Sequence, residues 1–190
     1  MYMLMIFRYF IAIARMEYHE NWNTPDFDHD ICIITLKEPL NLDDPNVAPI
    51  EFFQTGDADV PAETICNSTG WGLTTGGGLF LPNHLQWIQI PIHSAADCES
   101  IFPGYITENM VCAGSAGAAT CNGDSGGPLV CPDENGVGKS SLQNILEYFK
   151  LLKTGKLTGI VSFGYTGCTD AGVYAKVSQF TDWIMERWVD

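Results

Sequence analysis

The chain has 190 residues and a formal charge of −14, from 9 Lys and Arg against 23 Asp and Glu, with 46% apolar and only 17% charged residues. Against a domain size of roughly 150 residues, this is one domain or two small halves sharing a core, and the apolar content excludes a disordered chain, a coiled coil and collagen. A surface this acidic repels phosphate backbones and anionic membranes, so neither nucleic acid nor a membrane is an expected partner.

The chain opens with an apolar stretch, MYMLMIFRYFIAIAR. Ala12-Ile13-Ala14 has the small-x-small form of a signal cleavage site, but Arg8 falls inside the stretch instead of ahead of it, so a buried strand containing Ile11 and Ile13 is expected. No apolar run reaches the length of about 18 residues that a bilayer span needs. Short apolar or alternating runs follow at Ile31 to Leu36, Leu85 to Ile92 and Leu157 to Phe163. Pro39, Pro45, Pro49, Gly70 to Gly72 and Gly76 to Gly78 punctuate them as turns, which predicts an all-β chain. No Lys-Ser/Thr follows the Gly76-Gly77-Gly78 run, so it is not a phosphate cradle.

Two segments depart from that pattern. In Ser140 to Lys156, Leu142, Ile145, Leu146, Phe149 and Leu152 follow a helical stripe, and Ser140 with Gln143 has the form of a capping box. These seventeen residues also hold three of the nine cations, Lys150, Lys153 and Lys156, against the single acid Glu147, which marks an insert. Ser178 to Val189 places Phe180, Ile184 and Trp188 at helical spacing behind Val177, predicting a terminal helix packed on the sheet.

Seven cysteines lie without the paired C-x-x-C spacing of a zinc site, and no metal constellation stands out. Three bridges and one spare thiol in an oxidising, extracellular compartment are expected. Asn67-Ser68-Thr69 is the one glycosylation sequon.

The chemistry is concentrated in Cys121-Asn122-Gly123-Asp124-Ser125-Gly126-Gly127-Pro128-Leu129-Val130-Cys131. A serine hydroxyl is a poor nucleophile until a base takes its proton, and the oxyanion it creates needs aligned N–H donors. Glycines on both sides let the backbone turn tightly and a substrate carbonyl approach closely. The eleven-residue run resembles the trypsin/chymotrypsin family of serine endopeptidases. Cys66-Asn67-Ser68-Thr69-Gly70-Trp71-Gly72, Asn109-Met110-Val111-Cys112-Ala113-Gly114 and Asp30-Ile31-Cys32-Ile33-Ile34-Thr35-Leu36 resemble other stretches of the same family. So do Ile160-Val161-Ser162-Phe163-Gly164, Gly172-Val173-Tyr174 and Phe180-Thr181-Asp182-Trp183-Ile184. The resemblance covers about Glu17 to Asp190 apart from the insert.

That resemblance implies two six-stranded antiparallel β-barrels with a C-terminal helix, the first barrel incomplete. Residues 1–60 would be the remnant of the first barrel with the triad aspartate, and 61–190 the second barrel with the nucleophile, the insert at 140–156 interrupting it. Deleting the insert would join Lys139 to Leu157 in a short strand connection of the family's kind. By the same resemblance Ser125 is the nucleophile, Asp30 the carboxylate that orients the histidine, and the N–H groups of Gly123 and Ser125 the oxyanion hole. Bridges would join Cys66 to Cys131, Cys98 to Cys112 and Cys121 to Cys168, leaving Cys32 as a buried small hydrophobe.

Ala119, Thr120, Ser162, Phe163, Gly164 and Gly172 would bind substrate. Ala119 stands where an aspartate would select Lys or Arg, so a chymotrypsin-like preference for large apolar residues is expected, although Asp170 in the short loop from Thr169 to Ala171 could bring a charge near the pocket. No cofactor is implied. The implied partners are protein or peptide substrates and protein protease inhibitors, and the implied state is a secreted monomer.

Two departures from the family matter. No Ala-Ala-His-Cys motif occurs, and none of His19, His29, His84 and His93 is expected to replace its histidine as base. The Ile-Val-Gly-Gly sequence whose amine would pair with Asp124 is also absent. The chain as written is therefore expected to be inactive. The alternative reading is a non-catalytic homologue that acts as a secreted binding or regulatory protein.

Overall fold

The computed structural model describes residues 3–6, 9–22, 25–133 and 155–188. Strands β1 (Met3–Ile6), β2 (Tyr9–Tyr18) and β3 (Cys32–Leu36) form an antiparallel sheet in that order. Ile11 and Ile13 lie in β2 as expected but are half-buried, not enclosed. A second sheet contains β4 (Ile65–Gly70), β5 (Gln86–Pro91), β6 (Met110–Ala113), β7 (Pro128–Pro132), β8 (Gly155–Gly164) and β9 (Gly172–Lys176), in the order β5-β4-β7-β8-β9-β6.

This six-stranded sheet curls until its edges meet. Ile92, just past β5, bridges Ala113 at the end of β6, flanked by the His93 N–H to Cys112 carbonyl bond of 2.9 Å and the Gly114 N–H to Pro91 carbonyl bond of 3.0 Å. Closure satisfies the backbone groups that an open edge would expose. Inside sit Phe53, Cys66, Ile90, Ile92, Ala113, Leu129, Cys131, Val161 and Tyr174. Each fully buried aliphatic side chain among them contributes about 1.5–3 kcal/mol by leaving water.

Three disulfides tie this barrel: Cys66–Cys131 joins β4 to β7, Cys98–Cys112 joins helix α1 (Ala95–Ile101) to β6, and Cys121–Cys168 joins two loops. Cys32 carries a free thiol, and burial pushes its pKa up, which suppresses the reactive thiolate. Helix α1 was not among the expected elements. Its local signal is Ser94, whose Oγ accepts the Asp97 N–H at 3.1 Å and caps the first turn.

The C-terminal end differs in detail from the expected helix. Val177–Phe180 is a 3₁₀ turn, and α2 occupies only Thr181–Glu186. Phe180 is buried, but Trp188 is 61% exposed and Trp183, at 7%, fills the inner face instead. Ile31, Ala175, Phe180 and Trp183 form a small core that fastens the approach to β3 onto the barrel.

Of the helical segment expected at 140–156, residues 140–154, with the whole stripe from Leu142 to Leu152, lie outside the described residues. The last two residues of the expected insert, Gly155 and Lys156, open β8, opposite Pro132 and Cys131. Asn67 of the sequon is 2% exposed in the middle of β4, paired in register with Gln89 and Val130. A glycan on its amide is incompatible with this packing.

Candidate active site

The turn between Cys121 and Gly127 is held from within. The Asp124 N–H donates to the Cys121 carbonyl at 2.9 Å, and the Gly127 N–H donates to the Asp124 carbonyl at 2.8 Å. The Gly126 N–H and the Gly127 carbonyl then engage Val161 of β8, both at 2.9 Å. Gly123 adopts φ +99°, a conformation open to glycine, and a Cβ there would come 3.1 Å from the Gly72 Cα. The result lifts Ser125 into solvent. Among the described residues, neither the Gly123 nor the Ser125 N–H has an internal acceptor.

Asp124 points away from Ser125, into a cradle formed by the turn after β4. Its Oδ1 accepts the Gly72 N–H at 2.7 Å and its Oδ2 the Cys121 N–H at 2.9 Å. A Cβ on Gly70 or Gly72 would overlap the carboxylate, so the Gly-Trp-Gly sequence is what lets Asp124 fit. Gly72→Ala is expected to cost about 2–4 kcal/mol, from overpacking and from buried N–H groups that lose their acceptor. Urea unfolding checks this, and a loss under about 0.5 kcal/mol would mean that the carboxylate is not held there.

Ser125 opens on a cavity of about 160 Å³, whose other walls are Thr120, Cys121, Asn122, Val161, Ser162, Phe163, Gly164, Tyr165 and Cys168. The Cys121–Cys168 bridge fixes the distance between its two sides. Thr120 Oγ1 lies 3.1 Å from the Tyr174 hydroxyl, which is buried and pushed up to about 12 by that burial, so the phenol stays protonated. A Cβ on Gly172 would come 2.7 Å from Thr120 Oγ1, so Gly172 lies behind Thr120.

Asp30 arrives from the other sheet. The Ser162 hydroxyl donates to its Oδ2 at 2.5 Å, and Ser162 is itself a wall of the Ser125 cavity.

Of the residues expected to bind substrate, Thr120, Ser162, Phe163 and Gly164 line this cavity, whereas Ala119 and Gly172 do not. Ala119 lines a neighbouring hollow of about 390 Å³, together with Asp124, Gly70, Gly72 and Trp87. Asp170 accepts a bond from Thr169 Oγ1 at 2.9 Å and is not a wall residue. No acidic side chain lines the Ser125 cavity. A larger cavity, about 610 Å³ between α1 and the 58–62 loop, shares no residue with it. Tyr174, the partner of Thr120, drew no functional expectation from sequence, because a tyrosine in a strand reads as core.

The four histidines lie elsewhere. His19 and His29 pack together with ring centroids 4.6 Å apart. His84 presents its carbonyl to Gln86 Nε2 at 2.7 Å, and the His93 N–H bonds to Cys112. None lines the Ser125 cavity.

Comparison with known proteins places this geometry. The family model described as Trypsin matches residues 8–184. The chain is 37% identical over 182 residues to Serine protease 1 of Rattus norvegicus, covering 93% of this chain and 63% of that protein. It is 38% identical over 180 residues to Anionic trypsin of Canis lupus familiaris, covering 92% and 62%. The solved structure of neuropsin, a serine protease expressed in the limbic system of mouse brain, superimposes with a TM-score of 0.76 at 35% identity, over 94% of this chain and 72% of that one. The chain thus spans a little under two thirds of the length of the curated relatives it matches.

Proposed function

The chain belongs to the trypsin family of serine proteases, and from that premise we propose that it carries the nucleophile and the carboxylate of a serine endopeptidase that works through an acyl-enzyme. Ser125 Oγ attacks the scissile carbonyl, the Gly123 and Ser125 N–H groups take up the oxyanion, and Asp30 orients the histidine that receives the proton. The observation that carries this reading is the Ser162 hydroxyl. It donates to Asp30 while standing in the wall of the Ser125 cavity, so Asp30 sits one hydrogen bond behind the cleft that holds Ser125.

The base is not among these residues. The sequence contains four histidines, all of them are described, and none reaches the cleft. We therefore read the 190-residue chain as hydrolytically silent by itself, its base being a histidine supplied from polypeptide outside it. The same observation favours a second reading, a non-catalytic homologue that holds partners in the cleft. A fluorophosphonate probe separates the two, applied to the chain alone and to the chain fused behind the Ala-Ala-His-Cys segment of a relative. Labelling of Ser125 in the fusion and not in the chain alone is expected. A fusion that forms all three disulfides yet leaves Ser125 unlabelled refutes the endopeptidase reading.

The substrate side chain preceding the cut enters the cavity floored by Thr120. Without an acidic wall, nothing there compensates a buried Lys or Arg charge, which supports an apolar, chymotrypsin-like preference. In the fusion, kcat/KM for Phe or Leu substrates should exceed that for Lys or Arg by about a hundredfold or more, and the reverse order would overturn the assignment. Protein substrates and protein protease inhibitors are the partners this cleft fits, and three disulfides favour an extracellular setting. Among the described residues, no helix is long and apolar enough to cross a membrane.

A further inference from the structure

Between β2 and β3, the stretch described at 19–22 and 25–31 delivers Asp30. Its base is closed by one backbone bond, from the His19 N–H to the Ile31 carbonyl at 3.2 Å, and a tight local turn beside it has the Ile31 N–H donating to the His29 carbonyl at 2.8 Å. Two imidazoles fill the space beside those bonds. His19 and His29 lie with centroids 4.6 Å apart, and both meet Phe180 edge-on, at 5.5 and 5.8 Å. His19 also packs at 5.0 Å against Trp183 of α2. His29 holds φ +56°, a left-handed conformation, one residue before Asp30.

The protonation state of His19 is written in its contacts. Its Nδ1 accepts the Asn21 N–H at 3.2 Å, so that nitrogen is bare and the neutral ring carries its proton on Nε2. A second proton would set a donor against a donor and place a charge beside His29.

The charged surroundings are few. From the loop itself come Asp28, with Oδ2 3.3 Å from His29 Nδ1, and Glu20. Asp28 is in turn bonded by Thr107 Oγ1 and Asn109 Nδ2, both at 3.0 Å, and Asn109 Nδ2 stands 3.5 Å from His29 Nε2. After α2 comes Arg187, bonded at 3.3 Å to both Glu20 and Glu186. Burial, then His29, then Arg187 lower the His19 pKa, while Glu20 and Asp28 work against them.

We propose that the His19–His29 pair positions Asp30, and that a proton on His19 releases the 19–31 loop together with the Asp30–Ser162 bond. The consequence for catalysis rests on Asp30 being the triad carboxylate, but the release is a property of the chain itself. The sign follows from the lowered pKa. Stability contributed by neutral His19 is complete above its ordinary value of 6.5 and is lost as pH falls through the lower folded value. Asp28 and Glu20 are also lowered, from 3.8 and 4.5, so their contributions are lost only at more acid pH. A step between about pH 6.5 and pH 4.5 therefore belongs to the imidazole.

Hydrogen exchange of the whole chain, read by mass spectrometry from pH 7.5 to 5 and corrected for intrinsic rates, tests this. Protection in residues 19–31 should fall about tenfold across that range while β4, β7 and β8 keep theirs. His19→Gln keeps an acceptor for Asn21 but cannot titrate, and its protection should show no step. His29→Asn suits the left-handed backbone and removes the neighbouring ring, so its step should move to higher pH. A purely structural role for either ring would alter protection equally at every pH. An absent step in the wild type, an unchanged step in His19→Gln, or an unmoved step in His29→Asn overturns the proposal. Exchange reads the loop and not hydrolysis, so Ser125 labelling and this experiment fail independently.

Discussion

Oxidised to its three disulfides, the 190-residue chain is expected to hydrolyse a Phe-p-nitroanilide about a millionfold more slowly than the same chain fused to a histidine-bearing segment. A millionfold is about 8 kcal/mol of transition-state stabilisation, the amount lost when the serine proton has no base to receive it. The oxyanion donors and the substrate cavity remain, so a residual rate of about 10³–10⁴ over water should survive. KM should change little, because the cavity wall contains no histidine to lose. Progress curves on both proteins give kcat and KM separately. If the two kcat values agree within about tenfold, a histidine of this chain reaches Ser125 and the assignment of the base fails.

Replacing Cys66 and Cys131 together by alanine should give the largest loss of stability, about 2–5 kcal/mol. Both side chains are fully buried in the barrel core, and their bridge spans a sequence separation of 65 against 14 for Cys98–Cys112. On loop entropy alone the longer closure is worth about 1.4 kcal/mol more, from the logarithm of that ratio. At about 2–4 °C per kcal/mol for a chain of this size, calorimetry should show Tm falling by roughly 4–20 °C. A larger fall on removing Cys98 and Cys112 would contradict the ordering.

The barrel strands were legible where one local rule decided them. Alternation located β3 and β5, and the run Leu157 to Phe163 located β8, which starts two residues earlier, at Gly155, within the segment read as helical at 140–156. Ser125 and Asp30 were legible through motif alone, since nothing in composition separates an aspartate before a strand from an ordinary turn acid. The cavity was less legible. Ala119 lies six residues before Ser125, yet it lines the hollow beside Asp124 and not the Ser125 cavity, a distinction that spacing alone does not carry.

The terminal helix shows the same limit. Spacing nominated Trp188, but α2 ends at Glu186 and the buried indole is Trp183, whose Nε1–H donates to Glu20 at 2.8 Å. Periodicity reports a face, and it is the partner surface, invisible in a window of sequence, that decides where the face stops.

The order β5-β4-β7-β8-β9-β6 sets a timetable for synthesis. β6 is complete at Ala113, but its ladder partner β9 ends at Lys176. Cys121 likewise waits for Cys168. While the ribosome translates the intervening residues, β6 has only its short bridge to the end of β5 and β7 only β4, and the nascent barrel presents their bare outer edges to any strand nearby. Closure of the barrel is therefore a late event, completed only after Lys176 has been made. Interrupting translation before Lys176 should yield aggregates that chaperones hold, not a smaller barrel.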